Sequence, residues 1–321
     1  MSDSKGAGVS MLRVAIALGA VYLIWGSTYL AIRFAIETIP PFLMAAARYL
    51  TAGVLLYGWS RLRGAPRPSL VHWRSAVIIG ALLLLAGNGG VVWAEQRVSS
   101  GLVALLISTE PLWIVLMTWL RDRRQRPGGR VIAGLLLGFT GLMLLVRPSS
   151  SGGLDPLGVV AVLIASLSWA WGSLYSQRAR LPASPLLSTS MQMLSGGGLL
   201  LLAGALTGEP ARFALAEVST RSLLSLAYLV IFGAIIAFTA YVWLLRSASA
   251  VLVSTYAYVN PVVAVLLGWA FAGEPITRGT LIGAAVILTG VALISSAQGK
   301  KKEEEREPEP VAEEAEVCVA R

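Results

Sequence analysis

Apolar runs of about twenty residues recur along nearly the whole chain, and the short connectors between them carry most of the charge. Each run is close to the ~20 residues that a helix needs to cross the hydrocarbon of a bilayer. A backbone in lipid must satisfy its own hydrogen bonds, so runs of this length read as helices. Charged residues make up 13% of the 321 positions, against about 25% in an ordinary soluble domain. One helical membrane bundle therefore accounts for the length better than two soluble domains. The net charge of +9 does not point to nucleic acid. Its basic residues sit between apolar runs rather than along one soluble face, as membrane topology requires. The single cysteine, Cys318, allows no disulfide or zinc site within the chain. The single histidine, His72, reads as an interfacial loop residue beside Arg74. No cofactor or metal is expected.

Charges, prolines and glycines divide the runs into ten predicted spans. These are Leu12–Ile32, Pro41–Ser60, Trp73–Glu95, Ser99–Leu120 and Val131–Val146, then Pro156–Ser176, Pro185–Thr207, Leu223–Leu245, Ala248–Ala272 and Gly279–Ala297. In the first, an apolar run follows Lys5 and Arg13 as in a signal peptide, but it continues past signal-peptide length and reads as an anchor. With the N-terminus inside, 19 of the 26 Lys and Arg fall in inner segments and six in outer ones. That bias puts both ends in the cytoplasm, with the chain in the inner (plasma) membrane. Residues 1–11 form a short cytoplasmic segment, 12–146 and 147–297 two five-span halves, and 298–321 an acidic, proline-containing tail expected to be disordered.

The halves are related by an internal repeat. Trp25-Gly26-Ser27 with Tyr29 returns as Trp171-Gly172-Ser173 with Tyr175, and Pro41 and Gly53 return as Pro185 and Gly197. Trp93 and Pro111 answer to Trp243 and Pro261, and Gly134 with Thr140-Gly141 to Gly283 with Thr289-Gly290. A unit with an odd number of spans must start its second copy on the opposite side, so the fold expected is two inverted five-helix repeats, a design used for alternating access. The charges agree: RDRRQR follows the fourth span, whereas its counterpart after the ninth, AGEPITR, has lost the basic cluster.

With Trp25-Gly26-Ser27-Thr28, Pro40-Pro41 followed by Arg48, Asn88-Gly89 and the paired five-plus-five layout, the chain resembles EamA-type carriers of the drug/metabolite transporter superfamily over about residues 12 to 297. The resemblance implies ten helices around a central cavity and export of amino acids or other small metabolites. Glu110 departs from it, standing where an uncharged residue is expected.

Two charges lie inside spans: Arg48, ~12 Å from the outer end of the second helix, and Glu110, ~16 Å into the fourth. A lone charge at such depth costs about 2.5–3.5 kcal/mol on insertion scales. Their repeat counterparts are the neutral amides Gln192 and Asn260. Arg48 and Glu110 are expected to pair, directly or through water. Whether that pair is a static brace, or Glu110 instead binds substrate or couples to protons, stays open. Pro111 and Pro261 each follow one of the polar residues Glu110 and Asn260 and are expected to kink their helices. The expected substrate cavity comprises Trp25, Ser27, Thr28, Asn88, Glu110, Trp171, Ser173, Tyr241, Tyr256 and Asn260. Trp93 is equally readable as an interfacial belt residue. The glycines Gly134, Gly138 and Gly141 in the fifth span, with Gly283 and Gly290 in the tenth, suit close helix packing. They do not define an oligomeric state.

A secondary transporter of a small amphipathic, amino-acid-like solute is the function these features support, with protons as the candidate coupling ion. No nucleotide-binding GxxxxGK[ST] loop is present to couple another energy source. An intramembrane enzyme lacks the embedded nucleophile, base or metal ligands it needs. The remaining alternative is a structural or receptor-like membrane protein that transports nothing.

Overall fold

A computed structural model of the chain describes residues 11–97, 103, 106–122, 127–145, 155–272 and 278–304. The RDRRQR and AGEPITR connectors and the predicted start of the fourth span therefore lie wholly or mostly outside the described residues. Among those described, every regular element is helical: α1 (Met11–Ala35), α2 (Pro41–Leu62), α3 (Leu70–Ala94), α4 (Glu110–Arg121), α5 (Gly129–Leu145), α6 (Pro156–Ser176), α7 (Pro185–Leu206) and α8 (Thr220–Ser247). Next, α9 comes in two pieces, Ala250–Val253 and Tyr256–Ala272, and α10 runs from Arg278 to Glu304. Six of these, α1, α2, α3, α6, α7 and α8, are long and apolar enough to cross a membrane, and shorter apolar stretches occupy α5, α9 and α10. Large apolar side chains such as Leu23, Val54 and Leu202 face outward on the long helices, as a lipid-facing surface requires.

The starts of the helices are written locally. Pro41, Pro156 and Pro185 occupy first turns, where a missing N–H costs nothing. Asp155 accepts from the Leu157 amide, Ser219 from Ser222 and Ser249 from Leu252. His72 belongs to such a cap rather than to a loop: its Nδ1 accepts from the Ser69 amide while Ser69 Oγ accepts from the His72 amide.

Packing is set by small residues at two antiparallel contacts. A Cβ on Gly53 in α2 would stand 3.1 Å from the Leu194 nitrogen in α7, and one on Gly197 would stand 3.0 Å from the Leu50 nitrogen. Likewise a Cβ on Gly134 in α5 would meet the Gly290 carbonyl in α10 at 2.7 Å, and one on Gly141 the Gly283 carbonyl at 2.8 Å. In both pairs the numbering rises on one helix as it falls on the other, and each contact has a reciprocal partner. Further pairings join α1 to α9 and α3 to α6. Wide turns of the i→i+5 type run through Gly80–Gly89 in α3 and Leu229–Phe238 in α8.

Three expectations change. Pro111 does not kink a continuous helix: it lies in the first turn of α4, which begins at Glu110 after a turn at 108–109. The ninth span is likewise interrupted, by a turn at 254–255, and Pro261 then lies inside the helix that follows. Finally, α10 continues seven residues past Ala297 to Glu304, so the first part of the expected disordered tail is helical. Residues 305–321 lie outside the described residues.

Candidate substrate cavity

Six helices and Ile107, just before α4, line a cavity of about 70 Å³, room for roughly five water molecules. From α1 it takes Trp25, Thr28, Tyr29 and Ile32, spaced i, i+3, i+4 and i+7 on one helical face. Arg48 and Tyr49 come from α2, Gly87 and Asn88 from the wide turn of α3, Ser166 and Trp169 from α6, and Tyr256 and Asn260 from α9, with Ile107 from just before α4 and Glu110 from its first position.

The floor is aromatic. The Trp25 ring centroid lies 4.9 Å from Tyr256, 5.0 Å from Tyr241 and 5.7 Å from Trp169, the first and last edge-to-face. Such pairs favour the electrostatics of ring edge against ring face. Their polar ends are tied: Trp25 Nε1 donates to the Gly233 carbonyl at 3.1 Å, and Trp169 Nε1 to Tyr241 Oη at 2.9 Å.

Both buried charges reach this cavity, but no ion pair joins them; the ion pairs found among the described residues are Arg97–Asp155 and Arg221–Glu37. The expected direct Arg48–Glu110 bridge is not formed. Glu110 Oε2 instead accepts from Tyr256 Oη at 2.5 Å, and Arg48 lies 4.9 Å from the Tyr49 ring centroid. Room for the guanidinium comes from Gly233, where a Cβ would fall 2.6 Å from Arg48 Nη2. Arg48 Nε, Glu110 Oε1 and Asn88 Oδ1 are buried with no hydrogen-bond partner among the described residues. Unsatisfied buried polar atoms are costly, so three of them on the residues lining one small cavity mark a place that a polar ligand or water can satisfy.

Six of the ten expected cavity residues line it, Trp25, Thr28, Asn88, Glu110, Tyr256 and Asn260, and so does Arg48, expected only as the partner of Glu110. With its amide oriented to suit its neighbours, Asn260 donates to the Tyr22 and Tyr256 carbonyls at 3.1 Å each. Four others do not line it. Ser27 bonds to Tyr228 Oη at 2.6 Å, between α1 and α8. Tyr241 and Ser173, joined at 2.5 Å, form a layer behind Trp169. Trp171 points outward and is 60% exposed. Residues two positions apart on a helix differ by about 200°, so Trp25 cannot share a face with Ser27, nor Trp171 with Ser173. That periodicity was the available signal for Trp169, which lies four residues before Ser173. Tyr29, Ile32, Tyr49 and Ser166 are among the other lining residues not anticipated. Gln192, the repeat counterpart of Arg48, is buried away from the cavity and donates to Ser188 Oγ at 3.2 Å.

The rims are held by surface groups. Arg97 lies 4.5 Å from the Trp93 ring centroid and bridges to Asp155 at 3.1 Å, connecting the end of α3 to the start of α6. That hydrogen bond holds the Asp155 carboxyl below its ordinary pKa, with help from the Leu157 and Gly158 amides.

The chain matches the EamA-like transporter family over residues 12–147 and 156–296, one stretch for each half. It is 41% identical over 280 residues to the uncharacterized inner membrane transporter YedA of Escherichia coli strain K12, covering 87% of this chain and 89% of that one. Protein PecM of Dickeya dadantii is 27% identical, with 84% and 88% covered. A solved crystal structure superposes with a TM-score of 0.74 over 91% of this chain and all of its own, at 21% identity, and so shares the fold. With a family match across both halves and a relative this similar over most of its length, the chain belongs to the EamA-like transporter family.

Proposed function

We propose that the protein is a secondary transporter that moves a small zwitterionic, amino-acid-like solute across the inner membrane by alternating access. In this reading ten helices form two inverted five-helix halves with both chain ends in the cytoplasm. Support comes from the reciprocal glycine contacts of α2 with α7 and of α5 with α10, the pattern a two-fold axis in the membrane plane would produce. The wide turns of α3 and α8, 149 residues apart, follow the same relation.

The observation that carries the substrate class is the separation of the two buried charges. Arg48 and Glu110 share a cavity without neutralising each other, and each keeps an unpartnered atom. A solute bearing a carboxylate and an ammonium would satisfy both, while the Trp25–Trp169–Tyr256 wall would take its apolar part. A cavity of about 70 Å³ is far below the ~300 Å³ of sites for drug-sized ligands, so the solute is small and the halves must part to admit it. Glu110 is also the candidate proton carrier when no solute is bound. Export is the direction suggested by the family resemblance.

Flux into proteoliposomes tests the proposal. Labelled amino acids, nucleobases and cationic drugs are screened for counterflow, and saturable counterflow of zwitterions alone is the expected result. A folded protein that moves none of them favours a receptor or structural role. Reporter fusions at the two ends test the topology: ends on opposite faces would overturn the inverted arrangement.

A further inference from the structure

The connectors leaving α2 and α7 share a turn built on a left-handed glycine, Gly64 at φ 81° and Gly208 at φ 73°. They lie 144 residues apart, as do Pro41 and Pro185. At the end of α7 the next residue, Glu209, folds back onto the start of α2. Its Oε1 accepts from the Phe42 amide at 3.1 Å and its Oε2 from the Leu43 amide at 2.8 Å, and it is 6% exposed. The N-terminus of α2 needs this, because Pro40 at its cap offers no side-chain acceptor. Gly204 makes the space: a Cβ there would lie 3.2 Å from Glu209 Oε2.

The repeat puts different residues at the corresponding place between the end of α2 and the start of α7. Glu209 answers to Ala65 and Gly204 to Ser60, while Phe42 and Leu43 answer to Leu186 and Leu187. No carboxylate arrives. Leu187 donates to Ser184 Oγ at 3.4 Å, and the Leu186 N–H is a first-turn donor without an intrahelical acceptor. What lies there is a cleft of about 250 Å³ lined by Ser60, Arg63, Gly64, Ala65, Ser184 and Leu186. Ser60 is 3% exposed, and its hydroxyl has no partner among the described residues. It stands where Gly204 gives way to the carboxylate in the other half. Arg61 is committed to the Ala65 carbonyl, but the Arg63 guanidinium makes no hydrogen bond or ion pair among the described residues; it lies 4.7 Å from the Trp59 ring centroid at the rim. Trp59 and Leu62 are 51% and 87% exposed, as residues at the edge of a bilayer would be.

We propose that this cleft binds the phosphate of an anionic membrane lipid, which supplies to the N-terminus of α7 the negative charge that Glu209 supplies to α2. Phosphate oxygens accept from Ser60 Oγ, the Leu186 amide and Arg63, and the acyl chains leave along Trp59 and Leu62. Helix N-termini favour anions through their free N–H groups and dipole, and Arg suits a phosphate fork. The placement at the cytoplasmic leaflet rests on the inverted-repeat reading; the cleft itself does not.

The test titrates the purified full-length protein with phosphatidylglycerol and with phosphatidylcholine, reading bound lipid by native mass spectrometry and stability by melting temperature. Phosphatidylglycerol should bind more tightly and raise the melting temperature more. Ala65→Glu, which builds the missing carboxylate into the chain, should weaken phosphatidylglycerol binding about tenfold, the loss expected for one charge-assisted contact. Its melting temperature should respond less to that lipid. Arg63→Gln and Ser60→Ala should each weaken binding and serve as the test if Ala65→Glu does not fold. Equal binding of the two lipids, or a phosphatidylglycerol preference unchanged in folded variants, would overturn the site. Inorganic phosphate that stabilises the protein and displaces the lipid would overturn the lipid assignment and leave an oxyanion site for a soluble phosphate. None of these outcomes depends on flux, so the site and the transport proposal fail separately.

Discussion

Replacing Gly233 with Ala asks whether Arg48 serves the cavity or merely fills space. The new Cβ would stand 2.6 Å from Arg48 Nη2, whereas an ordinary contact begins at 3.4 Å, so the guanidinium must retreat about 0.8 Å. It can do so, because the clashing atom ends a flexible side chain. A hydrogen bond stretched from about 2.9 to about 3.7 Å is no longer one. The loss to a solute carboxylate is then about 1.5–3 kcal/mol, a rise of roughly 10- to 150-fold in KM. The helix itself should tolerate the change, since Ala is favoured over Gly by about 1 kcal/mol in a helix interior. Gly80→Ala is the control: there a Cβ would meet the Gly196 nitrogen at 2.6 Å and the Gln192 carbonyl at 3.0 Å, which are backbone atoms that cannot step aside. Counterflow in proteoliposomes with the amino acid found active in the flux screen, together with the melting temperature, separates the two. Gly233→Ala should keep its melting temperature and lose affinity, and Gly80→Ala should melt early. An unchanged KM in well-folded Gly233→Ala protein refutes a role for Arg48 in binding.

Glu110→Gln should preserve folding, flatten the pH dependence of transport and lower affinity for zwitterions. A pH profile identical to the parent removes Glu110 from proton coupling. Tyr256→Phe deletes the hydroxyl that donates to Glu110 Oε2 and should raise KM about tenfold, the cost of one hydrogen bond to a charged group. In competition assays Trp169→Ala should weaken binding of bulky apolar side chains, while Trp171→Ala, at an outward position, should leave flux unchanged. Asp155→Asn should narrow the difference in melting temperature between pH 7 and pH 3. A carboxylate with a lowered folded pKa contributes stability above its unfolded value of about 3.9 and loses it as the pH falls through the folded value. The group sits at the surface, where solvent screens its partner, so the change is small.

The positions of most helices were legible in the linear order because hydrophobic run length and cap chemistry are local. Pro156–Ser176 is found at the expected bounds, and Pro41 and Pro185 open their helices as read. The fourth and ninth spans were less so. Their long apolar runs conceal turns at 108–109 and 254–255, where hydroxyl groups satisfy what an unbroken ladder would. Thr109 Oγ1 donates to the Leu106 carbonyl, and Thr255 Oγ1 donates to that of Leu252 and bonds to Tyr22 Oη. Hydropathy is blind to such substitutions. Trp25 and Thr28, three residues apart on one face of α1, both line the cavity, whereas Trp171, expected there from its motif match to Trp25, points outward and Trp169 lines the cavity instead.

The sequence alone determined that this chain lives in a bilayer, that it is built from helices, and that its second half echoes the first. Those properties follow from the transfer energy of each segment and from order along the chain, which need no partner. Tertiary structure alone decided that Arg48 and Glu110 stay apart, because each charge answers to whatever side chains surround it. Tyr256 reaches Glu110 from 146 residues away and Gly233 opens a seat for Arg48 from 185, and neither neighbour can be read from the residues beside them.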